Sequence, residues 1–262
     1  MIMDMGLNGK VAVITGGSEG IGKSIGMSLS KEGASIAICA RRIDILEKAA
    51  SEIRESTGGQ VLTVNADVTK EGDVKLFIES VIEKFGRIDV LVNNAGRSAA
   101  GRFMDVSDEE WIEDFNLKFY GAVWGCRYSI PHMRKIGGGR IVNVTTIHGK
   151  QPGKSSMPTS ISRATGMAFT KALSRDHASD NILVNTICLG SVKSAQWKKF
   201  WKLNSSDKKE DEYYREVGRE IPLGRMGEAE EVANLVTFLV SDRAGFITGT
   251  SINVDGGASA VL

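Results

Sequence analysis

Most of what would tie this chain to a membrane, a disulfide framework or a nucleic acid is missing from it. Its 262 residues include only three cysteines, Cys39, Cys126 and Cys188. They stand far apart, without metal-site spacing or the density of a disulfide scaffold, so no metal site is expected and a reducing cytosol fits them. No apolar run approaches the roughly 20 residues that span a bilayer, and the opening Met1-Ile2-Met3-Asp4-Met5-Gly6 places an acid where a signal peptide has bases. The expectation is a soluble, cytoplasmic protein. Lys plus Arg number 33 against 32 Asp plus Glu, which leaves no broad basic field for nucleic acid or an anionic lipid surface. No low-complexity linker divides the chain. At 42% apolar content it is long enough for one α/β domain with a buried sheet and short for two.

What is present is an alternation. The apolar runs Val11–Ile14, Ser35–Cys39, Gln60–Asn65, Ile88–Val92, Gly139–Thr145, Ile182–Ile187 and Ser251–Val254 are separated by amphipathic stretches. That order implies a parallel sheet with right-handed helical crossovers on both faces. Ligands of such sheets bind beyond the carboxyl ends of the strands, so the strand-end residues bear the functional reading. The first run leads into Thr15-Gly16-Gly17-Ser18-Glu19-Gly20-Ile21-Gly22 and then into a helical pattern through Ile25 and Leu29. A strand, a Gly-rich turn and a helix start bring backbone amides and a partial positive charge close to a pyrophosphate. An irregular insert, Ser191–Pro222, rich in Trp, Lys, Glu and Tyr, reads either as a mobile lid over the strand ends or as a solvated helical excursion.

Further motifs follow in order: Asp67-Val68 after the third strand, Asn93-Asn94-Ala95-Gly96 ending the fourth, Asn116 in a central helix, and Phe246-Ile247-Thr248-Gly249 with Val254-Asp255-Gly256-Gly257 near the end. Over nearly its whole length the chain thus resembles the short-chain dehydrogenase/reductase family. The resemblance implies one α/β domain over residues 1–262, a doubly wound Rossmann fold with a seven-stranded parallel sheet and helices on both faces, the insert at about 191–222 being lid-like. It implies an NAD(P) site built from Gly16, Ser18, Glu19, Gly20, Ile21 and Gly22, with Asp67 and Val68 at the adenine and Asn94, Ala95 and Gly96 at the end of the fourth strand. Arg163 would meet the ribose and Val192 the carboxamide. Because members of the family form tetramers through the helices that carry Asn116 and Arg163, a homotetramer, or a hetero-oligomer with an intact relative, is expected.

The choice of dinucleotide is read at the end of the second strand, where an acid would accept hydrogen bonds from the adenosine ribose and repel a 2′-phosphate. This chain has Ala40 there, followed by Arg41 and Arg42, which suit a phosphate through forked, charge-assisted hydrogen bonds. Glu19 argues the other way, standing where NADP-preferring relatives often have a base. NADP(H) is favoured over NAD(H).

The chemical half of the site departs from the family. The segment Ile141–Gly149 aligns Thr146 with the family's catalytic Ser. Where Tyr and, four residues later, Lys are expected on one helical face, the chain has Thr159 and Arg163. The four tyrosines, Tyr120, Tyr128, Tyr213 and Tyr214, lie elsewhere. An aliphatic hydroxyl is a far poorer acid than a phenol, whose pKa is about 10, and Arg163 keeps its proton. General acid help is worth roughly 10²- to 10⁴-fold. Asn116, Thr146, Thr159 and Arg163 thus form a degenerate catalytic set. His148 is the nearby group with a suitable unperturbed pKa.

Three readings follow. The first is an oxidoreductase homologue whose carbonyl and alcohol chemistry is lost or very weak, acting as a non-catalytic subunit beside a competent relative, for example in a hydroxyacyl-CoA dehydrogenase. The second is an active NADP(H)-dependent carbonyl reductase or alcohol dehydrogenase with another proton donor, such as His148. The third is a non-redox enzyme on the same fold.

Overall fold

The computed structural model describes residues 4–261. Met1, Ile2 and Met3, part of the opening stretch read above, lie outside the described residues, as does Leu262. In chain order the elements are β1 (Val11–Thr15), α1 (Gly20–Lys31), β2 (Ser35–Ala40), α2 (Ile43–Thr57), β3 (Val61–Asn65), α3 (Glu71–Phe85), β4 (Val90–Asn93), β5 (Ala100–Gly101) and α4 (Asp108–Phe115). A π-helical turn, Asn116–Tyr120, joins α4 to α5 (Gly121–Lys135). There follow β6 (Gly139–Thr146), β7 (Met157–Pro158), α6 (Thr159–Asp176), β8 (Ile182–Leu189), α7 (Ala195–Asn204), α8 (Glu210–Arg219), α9 (Ala229–Val240) and β9 (Ser251–Val254).

The main sheet has seven strands in the order β3-β2-β1-β4-β6-β8-β9, all paired parallel. Each of the seven apolar runs is one of these strands, its ends within two residues of those read from the sequence. The central strands are apolar along their length because both faces are covered. Successive side chains alternate between the faces. Ala12, Ile14, Ile36, Ile38, Val90 and Val92 point into a core shared with Ile25 and Leu29 of α1, Leu46 of α2 and Val232, Val236 and Leu239 of α9. Val11, Val13, Ala37, Cys39 and Leu91 point into the opposite core, against Val74, Phe77 and Val81 of α3 and Cys126, Ile130 and Met133 of α5. The three cysteines are free and buried. Burial pushes the Cys39 and Cys126 thiols up to about 12, so neither is a ready nucleophile.

The strand order reverses at β1 and β4, and the crevice beyond their carboxyl ends is where a doubly wound sheet places its ligand. The central helix expected to carry Asn116 is interrupted by the π turn, where Gly121 N–H donates to Asn116 O. Such turns re-aim the side chains around them. The ribbon of β5 and β7 gave no sequence signal, since two residues are too few for a pattern. The 191–222 insert forms α7 and α8, whose Trp197, Tyr213, Tyr214 and Val217 pack with Ile221 and Met226 of the following segment. Gln196 of α7 reaches across the strand ends to accept the Ser98 N–H at 2.7 Å.

Candidate active site

A cleft of about 470 Å³ opens at the carboxyl ends of the strands, within the size range of ligand sites. All fifteen residues named above for the cofactor line it, from Gly16 and Ser18 in the first turn to Asp67, Asn94, Arg163 and Val192. Two glycines shape the floor. Gly20 opens α1 with φ +52°, a left-handed backbone that favours glycine, and at Gly22 a Cβ would sit 2.2 Å from Gly16 O. The turn is held from β4. Thr15 Oγ1 accepts the N–H groups of Asn94 (3.0 Å) and Ala95 (3.1 Å), while Asn94 Nδ2 donates to Thr15 O and Gly16 O, both at 3.0 Å. Glu19, the residue preceding α1, makes no side-chain cap. The first-turn amides therefore face the cleft uncapped, a setting that suits an anionic phosphate.

The Glu19 carboxylate pairs instead with Arg42 across the cleft mouth. Its charge, which argues against a 2′-phosphate, is offset by one of the two arginines. Arg41 is exposed and its backbone carbonyl accepts Asn65 Nδ2 at 2.8 Å, so the strand end is fixed while the guanidinium stays free to turn towards a ligand.

The reacting end of the cleft lies between β6 and α6. Thr146 ends β6 and Arg163 lies on α6, and both line the cleft. Thr146 Oγ1 is buried without a hydrogen-bond partner, as is Arg163 Nε, while Arg163 Nη1 donates to Val144 O at 2.8 Å. Burial pulls the Arg163 guanidinium down to about 10, with partial compensation from Asp114. Uncommitted polar atoms here, beside a glycine cradle at the other end, fit a dinucleotide with a polar substrate against it.

Thr159, the first residue of α6, does not stand alone. Lys118, in the π turn, donates from Nζ to both Thr159 Oγ1 and the Asp114 carboxylate. The Lys118 and Asp114 side chains are only 3% and 1% exposed. Burial, then repulsion from Arg163, pulls the Lys118 ammonium from the ordinary lysine range down to about 8, although the Asp114 charge and hydrogen bond act the other way; Arg97 adds a smaller lowering. Behind the cleft a void of about 20 Å³ is lined by Lys118, Asn93, Asn143 and Ser162. It shares Ala95, Leu117, Val144 and Arg163 with the cleft wall, which places the lysine just beneath the reacting end.

The other two expected residues are placed differently. Asn116 is half-buried in the π turn, and its carbonyl accepts the Gly121 N–H. His148 is exposed in the short turn after β6, and neither it nor Asn116 nor Thr159 is among the cleft-lining residues. Lys118 escaped the sequence reading. It was visible as a Lys four residues after Asp114, an ordinary surface ion-pair spacing, in a helix otherwise dominated by Trp111, Phe115, Phe119 and Tyr120. Nothing in that spacing says the pair is buried.

A family model described as Enoyl-(Acyl carrier protein) reductase matches residues 16–259. The chain belongs to the short-chain dehydrogenase/reductase family. It is 35% identical to the 3-oxoacyl-[acyl-carrier-protein] reductase FabG of Thermotoga maritima over 97% of its length and 99% of the relative's. The crystal structure of L-sorbose reductase from Gluconobacter frateurii, complexed with NADPH and L-sorbose, superposes with a TM-score of 0.94 at 39% identity, covering 99% of this chain and 100% of that one. An NADPH-bound short-chain oxidoreductase from Pseudomonas aeruginosa PAO1, described as containing an atypical catalytic center, superposes at 0.90 with 32% identity over 97% and 98% of the two chains. A nicotinamide dinucleotide is thus the cofactor of this member of the family. Among the described residues, no helix is long and apolar enough to cross a membrane and no cluster of His, Cys, Asp and Glu suits a metal.

Proposed function

We propose that this protein is an active NADP(H)-dependent carbonyl reductase and alcohol dehydrogenase in which Lys118, acting through the Thr159 hydroxyl, supplies and removes the proton. The observation that supports it is the hydrogen bond from the buried Lys118 ammonium to Thr159 Oγ1. The expectation of weak chemistry rested on Thr159 alone, whose own acidity is too low. A hydroxyl that receives a proton as it gives one up never has to become an alkoxide, so the relevant acidity is that of the lysine. At about 8, it lies near the operating pH, where general acid and base catalysis works best.

A nicotinamide held in the cleft would supply or accept the hydride. Thr146, with its hydroxyl uncommitted, orients the substrate oxygen against Thr159, and Arg163, fixed to the Val144 carbonyl, holds the ribose. The buried guanidinium also keeps a positive charge beside an oxygen that becomes more negative as the carbonyl is reduced. His148 has no part in this scheme. Turnover of NADPH with a ketose, an aliphatic ketone, an ortho-quinone and a 3-oxoacyl thioester is expected to rise clearly above background for at least one of them. A protein inert towards all four, but reactive once mixed with an intact relative, supports the non-catalytic-subunit reading instead.

Dinucleotide choice follows from Ala40, Arg41 and the Glu19–Arg42 pair. Calorimetry is expected to give tighter binding of NADPH than NADH, with Arg41→Asp narrowing or reversing the preference. Glu19→Gln, which frees Arg42, should widen it. Equal affinities in the unmodified protein would contradict the phosphate argument.

The helices around the π turn point to assembly. Trp111, Phe115, Phe119, Tyr120 and Trp124 form a chain of aromatic contacts, and Ile112 and Ile161 beside them are exposed. An apolar surface of that kind suits a second copy of the chain. Light scattering should give a species larger than a monomer, and a clean monomer at micromolar concentration would contradict it.

A further inference from the structure

We infer that Asp114, held in place by Ser162, is a positioning residue that sets both the aim and the proton affinity of Lys118, and thereby the pH range over which the enzyme reduces its substrate. This rests on the reading of Lys118 as the proton source.

Asp114 lies in the last turn of α4, directly ahead of the π turn, and both of its oxygens are committed. Oδ1 accepts Lys118 Nζ, and Oδ2 accepts the Ser162 hydroxyl at 2.6 Å. Ser162 is itself 1% exposed and its Oγ also lies 3.1 Å from Thr159 O. The carboxylate therefore ties the π turn to the first turn of α6, the turn that presents Thr159. The link has a geometric consequence. Asp114 and Thr159 bind the same ammonium, so the carboxylate fixes where Nζ sits relative to the hydroxyl it must serve.

The link also has an electrostatic consequence. The charged groups acting on Lys118 are Asp114 from α4, Arg163 from α6 and Arg97 from the segment between β4 and β5. The last is paired with the exposed Glu113 at 2.6 Å. Burial and both guanidiniums disfavour the protonated lysine, and Asp114 is the only group among them that favours it. A buried ammonium beside a buried guanidinium would lose its proton near neutrality without such a partner. Ser162 has no charge of its own. It acts by holding Oδ2, which keeps Oδ1 turned to the lysine.

The test uses Asp114→Asn, Ser162→Ala and Lys118→Met, with two readouts. The first is the pH dependence of NADPH-dependent reduction of whichever panel carbonyl turns over fastest. The second is the ¹³C chemical-shift titration of the Lys118 ε-carbon in the protein without nucleotide. Reduction requires the protonated lysine, so its rate falls as pH rises through the lysine's pKa. Loss of the Asp114 charge is expected to move this falling limb, and the ε-carbon titration with it, to lower pH by about 1 to 3 units. Ser162→Ala should move both in the same direction by less, and calorimetry should give unchanged NADPH affinity for both variants. A residue that only braced the fold would lower stability without moving the titration. Coincident titrations in unmodified protein, Asp114→Asn and Ser162→Ala would overturn the inference. Should Asp114→Asn fail to fold, Ser162→Ala alone decides it by the same criterion. Full activity in Lys118→Met would instead remove the Lys118 reading on which the inference stands.

Discussion

Replacing Lys118 by Met is expected to lower turnover by about 10²- to 10⁴-fold, the usual worth of general acid and base help, while NADPH binding stays within a few-fold of the unmodified protein. The lysine lies behind the cleft wall and is not among the residues that line the cleft, so the loss should fall on kcat and not on cofactor affinity. Thr159→Val, which keeps the shape and removes the relay hydroxyl, should cost a similar factor, and Thr159→Ser should retain much of the activity. Lys118→Met leaves the buried Asp114 carboxylate without its ammonium, and breaking a buried pair from one side destabilises by about 3–5 kcal/mol. A lower melting temperature is therefore expected as well. Calorimetric NADPH binding at the assay temperature separates loss of chemistry from loss of fold. A variant that binds NADPH and keeps wild-type kcat would contradict the role of Lys118.

The other large effect is expected at Gly22. A Cβ there would lie 2.2 Å from Gly16 O and 2.6 Å from Asn94 Nδ2. Gly22→Ala must therefore push the Gly-rich turn away from β4 or break the Asn94 hydrogen bonds that hold it. Overpacking of this kind typically costs 1–3 kcal/mol. If that strain is relieved by distorting the phosphate cradle, NADPH affinity falls by roughly 5- to 150-fold. Gly58→Ala serves as a control, because its Cβ meets nothing within 4 Å. It should bind NADPH normally, with some loss of stability from its φ of +70°. Equal affinity in Gly22→Ala and the unmodified protein would contradict the close-approach argument.

The residues that line the cofactor half of the candidate cleft were legible in the sequence because they lie in local motifs. The Gly-rich turn, Asp67-Val68 and Asn93–Gly96 each sit at a strand end, and the topology that gathers strand ends follows from the alternation of apolar runs. The Glu19–Arg42 pair was not legible. The two residues are 23 positions apart, and their charges alone read as opposing votes on the 2′-phosphate. Lys118 was missed for a deeper reason. The role proposed for it depends on burial and on Thr159, 41 residues away, neither of which has a sequence signature. The π turn that carries Lys118 also has no periodicity distinct from that of the helices on either side. The sequence pointed to His148 because its unperturbed pKa suits the chemistry. The proposed reading turns instead on a lysine whose pKa burial and a neighbouring guanidinium lower to about 8, an effect of packing.

The pH dependence of both reaction directions, measured with NADPH and the best panel carbonyl and with NADP⁺ and the corresponding alcohol, tests most directly whether Lys118 moves the proton. Reduction needs the protonated ammonium and oxidation the free amine. The rate of reduction should therefore fall, and that of oxidation rise, through one common break near the Lys118 value of about 8, and Lys118→Met should abolish the break. A common break near 6.5, the ordinary histidine value, that disappears in His148→Ala would contradict the assignment, as would no turnover above background in either direction between pH 6 and 10.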